Sequence, residues 1–158
     1  MLGFFMNIAD ILRKEFVIED LKATNKRDVL AELSGIFLKA HKNINNEAML
    51  VALLDREKLG STCIGEGIAI PHGKLGSLDN LIAAFGRSEE GIEFNALDGK
   101  PIHIFFLLMA PENSAGQHLK ALAKISRMLR DAEFKKQLME AKSQDELYDA
   151  IKQKDEAC

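Results

Sequence analysis

The sequence predicts a single mixed α/β domain in which helices cover both faces of a mixed β-sheet, and three observations carry that expectation. Leu81 to Phe85 is apolar throughout and Ile102 to Met109 is apolar except for His103, a near-continuous pattern that belongs to strands covered on both faces. Amphipathic segments at helical spacing stand before and after these runs. With 158 residues, 47% of them hydrophobic and 28% charged, the chain has the size and balance of one globular core. Strands separated by helices favour parallel pairing, while the short interval from Leu81 to Met109 favours antiparallel pairing. The sheet is therefore expected to be mixed, and its strand order stays open.

Residues 8 to 14 read as a short helix leading into an extended Phe16-Val17-Ile18 segment of bulky and β-branched residues. Thr24 or Asn25 offers an N-cap, after which Val29, Leu30, Leu33, Ile36, Phe37 and Ala40 recur on one helical face. Asn45 and Asn46 cap a second helix with Met49, Leu50, Leu53 and Leu54 on one face. Gly60 ends it, so Arg56 falls in its last turn. Ile68-Ala69-Ile70 then runs up to Pro71-His72-Gly73, where a strand is expected to end. Ile92 and Phe94 read as a short edge segment, and Asp98-Gly99 before Pro101 as a turn. Ser114 and Gln117 have the spacing of a capping box for a long helix whose Leu119, Leu122, Ile125 and Leu129 face inward. Asp131 caps a helix carrying Phe134 and Leu138, and Ser143 with Glu146 boxes a last one carrying Leu147, Ala150 and Ile151. The polar residues after Lys152 are expected to fray. No repeat or linker interrupts the chain, so residues 1–158 are read as one domain.

Several function classes fall away on composition. A net charge of −3, with Lys and Arg concentrated nowhere, leaves no electrostatic footprint for nucleic acid. Cys63 and Cys158 have neither metal nor disulfide spacing, which fits a reducing cytoplasm. The apolar runs fall far short of the ~20 residues of a membrane helix. Leu2-Gly3-Phe4-Phe5-Met6 lacks the basic region and cleavage site of a signal peptide, and Met6 is as good a start as Met1. No two histidines share the local spacing of a zinc site. Gly60, Gly65 and Gly67 form neither a Walker loop nor a dinucleotide fingerprint, so no metal or cofactor is expected.

The chemistry-bearing stretch runs from Arg56 to Lys74. Pro71 pushes Ile70 into an extended conformation and Gly73 relaxes the backbone after the imidazole, which presents His72 at a strand edge beside backbone amides. A histidine titrating near pH ~6.5 is partly neutral at cytoplasmic pH and can attack phosphorus or accept a proton. The other reading is a strand-end histidine satisfied by a carbonyl. His118, in the first turn of its helix, aligns with Leu122, Ile125 and Leu129 and so points toward the sheet. There it either donates to a phosphate near the positive helix end or serves as a core histidine. Arg56 offers a planar fork for phosphate oxygens, or is one of the solvated charges Asp55, Arg56, Glu57 and Lys58. Ser61 and Thr62 supply hydroxyls suited to phosphate or to turn formation. His41, at a helix C-terminus, and His103, inside an apolar strand, read as structural.

Glu57, six intervening residues, Ile64-Gly65, two more, and Ile68-Ala69-Ile70-Pro71-His72-Gly73 resemble the phosphohistidine signature of the fructose/mannitol-type IIA proteins of the phosphoenolpyruvate-dependent phosphotransferase system. The resemblance extends over Phe94-Asn95-Ala96-Leu97-Asp98 and His118-Leu119-Lys120-Ala121-Leu122-Ala123 and covers about residues 8–151. It implies a three-layer α/β/α sandwich on a mixed sheet. It also implies that His72 receives a phosphoryl group from the phosphocarrier HPr or a paralogue and passes it to the cysteine of a IIB domain. His118 would be the second active-site histidine and Arg56 the phosphate-contacting arginine. From the residues themselves, Ser61, Thr62 and Gly73 are read as lying around the phosphate, with no metal. The Arg-Glu-Lys-Leu-Gly-Ser-Thr wording is most similar to the nitrogen-regulatory branch, which signals to target proteins by phosphorylation state; sugar transport is the alternative. A cytoplasmic location without an attached IIB or membrane IIC segment is expected. Cys63 and Glu66 stand where the family often has glycine and asparagine, at positions the signature leaves free.

Overall fold

The computed structural model describes residues 7–158. Residues 2–6, and with them the choice between Met1 and Met6 as a start, lie outside the described residues. In chain order the strands are β1 (Leu12–Ile18), β2 (Cys63–Gly65), β3 (Ile68–Ala69), β4 (His72–Lys74), β5 (Ile82–Ile92) and β6 (Ile102–Ala110). The helices are α1 (Lys26–Gly35), α2 (Asn46–Lys58), α3 (Ala115–Leu129), α4 (Ala132–Glu140) and α5 (Gln144–Ala157).

The six-stranded sheet runs in the order β1-β5-β6-β3-β2, with β4 also paired to β6. The β5–β6 and β2–β3 pairs are antiparallel, and β1–β5, β3–β6 and β4–β6 are parallel. The mixed sheet is therefore the one the strand and helix order predicts. Helices α1 and α2 pack on each other and against β5 and β4, while α3, α4 and α5 pack in series and against β6 and β1. The result is a three-layer α/β/α sandwich, and the near-continuous burial of β5 and β6 follows from it. Phe85 and Phe106 meet edge to face at 5.9 Å across these two strands.

The caps account for most helix starts. Asn25 accepts from the Asp28 amide at 2.9 Å and Asn45 from the Ala48 amide at 3.0 Å. Asp131 accepts from the amides of Glu133 and Phe134, and Ser143 from that of Glu146. The Ser114–Gln117 box does not form: Ser114 Oγ instead donates to the Pro111 carbonyl at 2.9 Å. Arg87, buried on β5, donates to the Leu138 and Ala141 carbonyls at the end of α4 and so pins that helix to the sheet. The outer edge of β1 is covered by Gln144, whose amide donates to the Lys14 and Val17 carbonyls.

Four further expectations change. The short helix over residues 8 to 14 shrinks to a 3-10 turn at Ile8–Asp10 with no side-chain cap bond, because the parallel pairing Leu12↔Ala83 draws the chain into β1. Ile92 is the end of β5, paired with Ile102, and Phe94 is a buried loop residue stacked edge-on against Phe105, so no separate edge strand exists. Leu119 is 67% exposed, one position off the inward face of α3. The tail after Lys152 does not fray: α5 continues to Ala157, because Asp155 is buried, ion-paired with Lys124 at 2.6 Å and accepting from the Ala9 amide at 3.2 Å.

Removing one partner of a buried ion pair leaves the other charge desolvated, at a cost of roughly 3–5 kcal/mol. Asp155→Ala is accordingly expected to lower the unfolding free energy by about 3 kcal/mol in urea denaturation. A loss no larger than that of an exposed α5 substitution would show that the buried tail adds nothing to the fold.

Candidate functional site

The line of β3 and β4 along β6 determines where His72 stands. Ile68 pairs with Ile104, Ala69 with Phe105, His72 with Leu108 and Lys74 with Ala110, one constant register interrupted only at Ile70 and Pro71. Pro71 has no N–H for a ladder, yet its carbonyl still accepts from the Leu108 amide at 2.9 Å. His72 thus begins a strand segment, whereas the sequence places it where one ends. Gly73 has no positive φ. A Cβ there would lie 3.4 Å from Met109 Cε and 3.6 Å from Ala52 Cβ, ordinary contact distances, so neither torsion nor packing of β4 on α2 requires a glycine at this position.

The His72 ring is held at both nitrogens. Nδ1 lies 2.9 Å from the Ile70 carbonyl, and Arg56 Nε donates to Nε2 at 3.2 Å. A guanidinium can only donate and a carbonyl can only accept. The neutral ring therefore carries its proton on Nδ1 and keeps the Nε2 lone pair facing Arg56. Burial lowers the His72 pKa below the ordinary histidine value; the Ile70 carbonyl opposes the shift, Arg56 adds to it and Glu57 opposes it.

His118, on α3, meets His72 edge to face with ring centroids 5.5 Å apart. It is 7% exposed, and its Nε2 has no hydrogen-bond partner among the described residues. Burial, then the neighbouring His72 and Lys74, lowers its pKa to about 4. A buried imidazole without a partner at a cavity wall is an unmet demand for a polar group.

A cleft of about 640 Å³ opens over these groups, lined by Arg56, His72, Gly73, Lys74 and His118, with Leu59 and Leu119 at its rim. The two leucines are 84% and 67% exposed. Of the residues singled out in the sequence, Arg56, His72, Gly73 and His118 come together, and Ser61 and Thr62 do not line the cleft. Their hydroxyls are engaged elsewhere: Ser61 Oγ donates to the Phe94 carbonyl at 3.2 Å, and Thr62 Oγ1 donates to Glu57. Among the described residues no three His, Cys, Asp or Glu side chains converge as a metal site requires.

Glu57, 7% exposed, binds Thr62 through both carboxylate oxygens and Lys26 at 3.2 Å. That clamp joins the end of α2 to the segment leading into β2 and so fixes the backbone on which Arg56 rides. Arg56 Nη1 also donates to the Gly60 carbonyl at 2.9 Å, which holds its fork over the ring. Sequence reasoning missed Lys74, Leu59 and the buried state of Glu57. A charge run at a helix end looks the same whether its carboxylate is solvated or buried, and exposure of a leucine leaves no mark in periodicity.

The unfolded chain takes up protons at the ordinary histidine value of 6.5, while folded His118 resists until about 4. The native state thus binds fewer protons in that window, and stability is expected to fall as pH drops through it. The lowered His72 acts in the same direction. Urea midpoints between pH 7 and 4.5 should show this decline, reduced in His118→Gln. An imidazole NMR titration of His118 centred at the ordinary value would contradict it.

The family model described as "Phosphoenolpyruvate-dependent sugar phosphotransferase system, EIIA 2" matches residues 10–154. A nitrogen regulatory protein of Bradyrhizobium diazoefficiens is 39% identical over 146 residues, covering 92% of this chain and 95% of that protein. The fructose-specific EIIABC component of Bacillus subtilis is 41% identical over 150 residues, covering 95% of this chain, which spans only 24% of that longer protein. The crystal structure of the nitrogen regulatory protein IIA-Ntr from Neisseria meningitidis superposes with a TM-score of 0.85 at 31% identity, covering 91% of this chain and 98% of that one. A match along nearly the whole sandwich, in sequence and in fold, means that this chain belongs to the EIIA type-2 family of the phosphoenolpyruvate-dependent phosphotransferase system.

Proposed function

We propose that the chain is a phosphoryl carrier that holds the group on His72 Nε2 and acts in a regulatory branch through its phosphorylation state. The observation that carries this reading is the His72 ring itself: Nδ1 is committed to the Ile70 carbonyl, and the Nε2 lone pair faces an open cleft beside Arg56. In the forward step Nε2 attacks the phosphorus carried by the upstream protein, HPr or a paralogue. The new N–P bond forms as the donor's N–P bond breaks, and the donor nitrogen keeps that electron pair. The attacking ring starts neutral and, keeping its Nδ1 proton against the Ile70 carbonyl, ends as a phosphoryl-imidazolium whose positive charge is offset by the phosphoryl oxygens; a donor ring protonated on its other nitrogen leaves as neutral imidazole, so no base is needed. Arg56 exchanges its bond to Nε2 for the phosphoryl oxygens, and His118 supplies an N–H to them from the opposite wall. The lowered pKa of His72 keeps the nucleophile unprotonated, and that of His118 keeps a second positive charge from building up beside it.

A phosphoryl group brings close to two negative charges to a cleft rimmed by exposed Leu59 and Leu119. An apolar contact surface becomes a charged one, which supports control of a binding partner. The same chemistry suits donation to a IIB cysteine in sugar transport, and the 41% identity to a fructose-specific component favours keeping that second reading. Both readings place the protein in the cytoplasm. The Ser61 and Thr62 hydroxyls take no part in either, since other groups already bind them.

Incubation with phosphoenolpyruvate, enzyme I and HPr or their paralogues tests the assignment. We expect acid-labile phosphate on His72 in the parent chain and none in His72→Ala; undiminished labelling of that variant would overturn the site. Arg56→Lys and His118→Ala should still label His72 but more slowly, by roughly a hundredfold if each supplies a transition-state donor. Unchanged transfer kinetics would remove the altered residue from the mechanism. Efficient transfer onward to a IIB cysteine would favour transport over regulation.

A further inference from the structure

Away from the His72 cleft, a second cavity of about 510 Å³ lies between the β2–β3 hairpin and the corner where α3 gives way to α4. Its walls are apolar: Ile64 and Ile68 from the hairpin, Leu129 from the end of α3 and Met139 from α4. Its rim is cationic, formed by Arg130, Lys135 and Lys136, and none of the three enters an ion pair among the described residues. The one carboxylate at the rim, Glu66, pairs with Lys100 at 3.5 Å. The hairpin wall is held in place, because the Lys135 ammonium bonds the Glu66 carbonyl. It does so at a turn where Gly65, Glu66 and Gly67 all have positive φ, at 94°, 56° and 77°. An ammonium has three donors, so two are left over from that bond on a residue that lines the cavity.

Apolar depth beneath an uncompensated cationic rim is the polarity order of an amphiphilic anion. The volume falls in the range of small-molecule sites, roughly 300–1,000 Å³. We propose that this cavity binds a small organic anion with a linear apolar body. The chain lies against Ile64, Ile68, Leu129 and Met139, and a carboxylate or phosphate head is held by Arg130, Lys135 and Lys136. An anionic head relieves the mutual repulsion of three cations that have no carboxylate of their own, and a neutral ligand leaves that repulsion in place. The proposal does not depend on the phosphoryl-carrier reading, since none of these residues touches the His72 cleft.

Titration of the methyl-labelled protein with octyl phosphate and with octanoate, followed by NMR, tests it. Octyltrimethylammonium and inorganic phosphate serve as controls. We expect saturable shifts at the methyls of Ile64, Ile68, Leu129 and Met139 with at least one octyl anion and weaker or no binding of the controls. The tighter of the two anions identifies the head group as phosphate or carboxylate. The double variant Arg130→Glu with Lys136→Glu, both on exposed positions, should weaken binding about tenfold or more, as loss of charge-assisted contacts requires. Met139→Glu should do the same from the apolar wall, and neither variant should change phosphoryl uptake by His72. Equal binding of the octyl cation, shifts confined to Leu59 and Leu119, absence of any saturable shift, or full affinity in the folded charge variant would each overturn the proposal.

Discussion

Pairing with β6 is the constraint on which the site depends. Residues from Ile68 to Lys74 keep one offset against Ile104 to Ala110, so the imidazole of His72 is placed by a ladder inside the sheet and not by a loop. The interruption at Ile70-Pro71 is what makes the ladder useful. The Pro71 carbonyl is spent on β6, and carbonyls of successive residues in an extended chain point to opposite sides. The Ile70 carbonyl is therefore turned outward and takes the Nδ1 proton of the ring two residues on. Loops position many functional side chains with some slack; here a central strand removes most of it.

Around that ring the polar groups divide into those that are satisfied and those that are not. Glu57 is saturated by Thr62 and Lys26, so its charge is settled within the scaffold and the backbone under Arg56 is rigid. His118 is the opposite case, buried with an unpartnered Nε2. Contrast between a finished network below and an unfinished one above tells which side of Arg56 is structure and which side is open to chemistry. The low proton affinity of both rings has the same origin in desolvation, strengthened by cations that line the cleft.

Much of this was legible in the sequence, and the exceptions have physical causes. The mixed sheet followed from apolar runs in β5 and β6, and α1, α2, α4 and α5 start at the residues whose side chains can cap them. His72, His118 and Arg56 stood out from residue type and spacing, and they share one cleft. Ser61 and Thr62 did not join them, because a hydroxyl in a loop takes the nearest acceptor, and here those were Phe94 and Glu57. Ser114 likewise found the Pro111 carbonyl before it could cap α3. The tail of α5 looked polar enough to fray, yet one buried carboxylate, Asp155, is held by partners far away in the chain, and no local pattern announces such a pairing. Strand order had the same non-local origin.

The tether between His72 Nδ1 and the Ile70 carbonyl reaches beyond the ground-state geometry. Imidazole has two nitrogens of similar reactivity in solution, and an unrestrained histidine gives a mixture of two substituted isomers. With one nitrogen bound to the backbone at 2.9 Å, the ring cannot exchange them without giving up that bond. Regiochemistry is therefore set by the chain itself before any reactant arrives. In the proposed carrier role, a partner would therefore meet only one isomer, in one orientation.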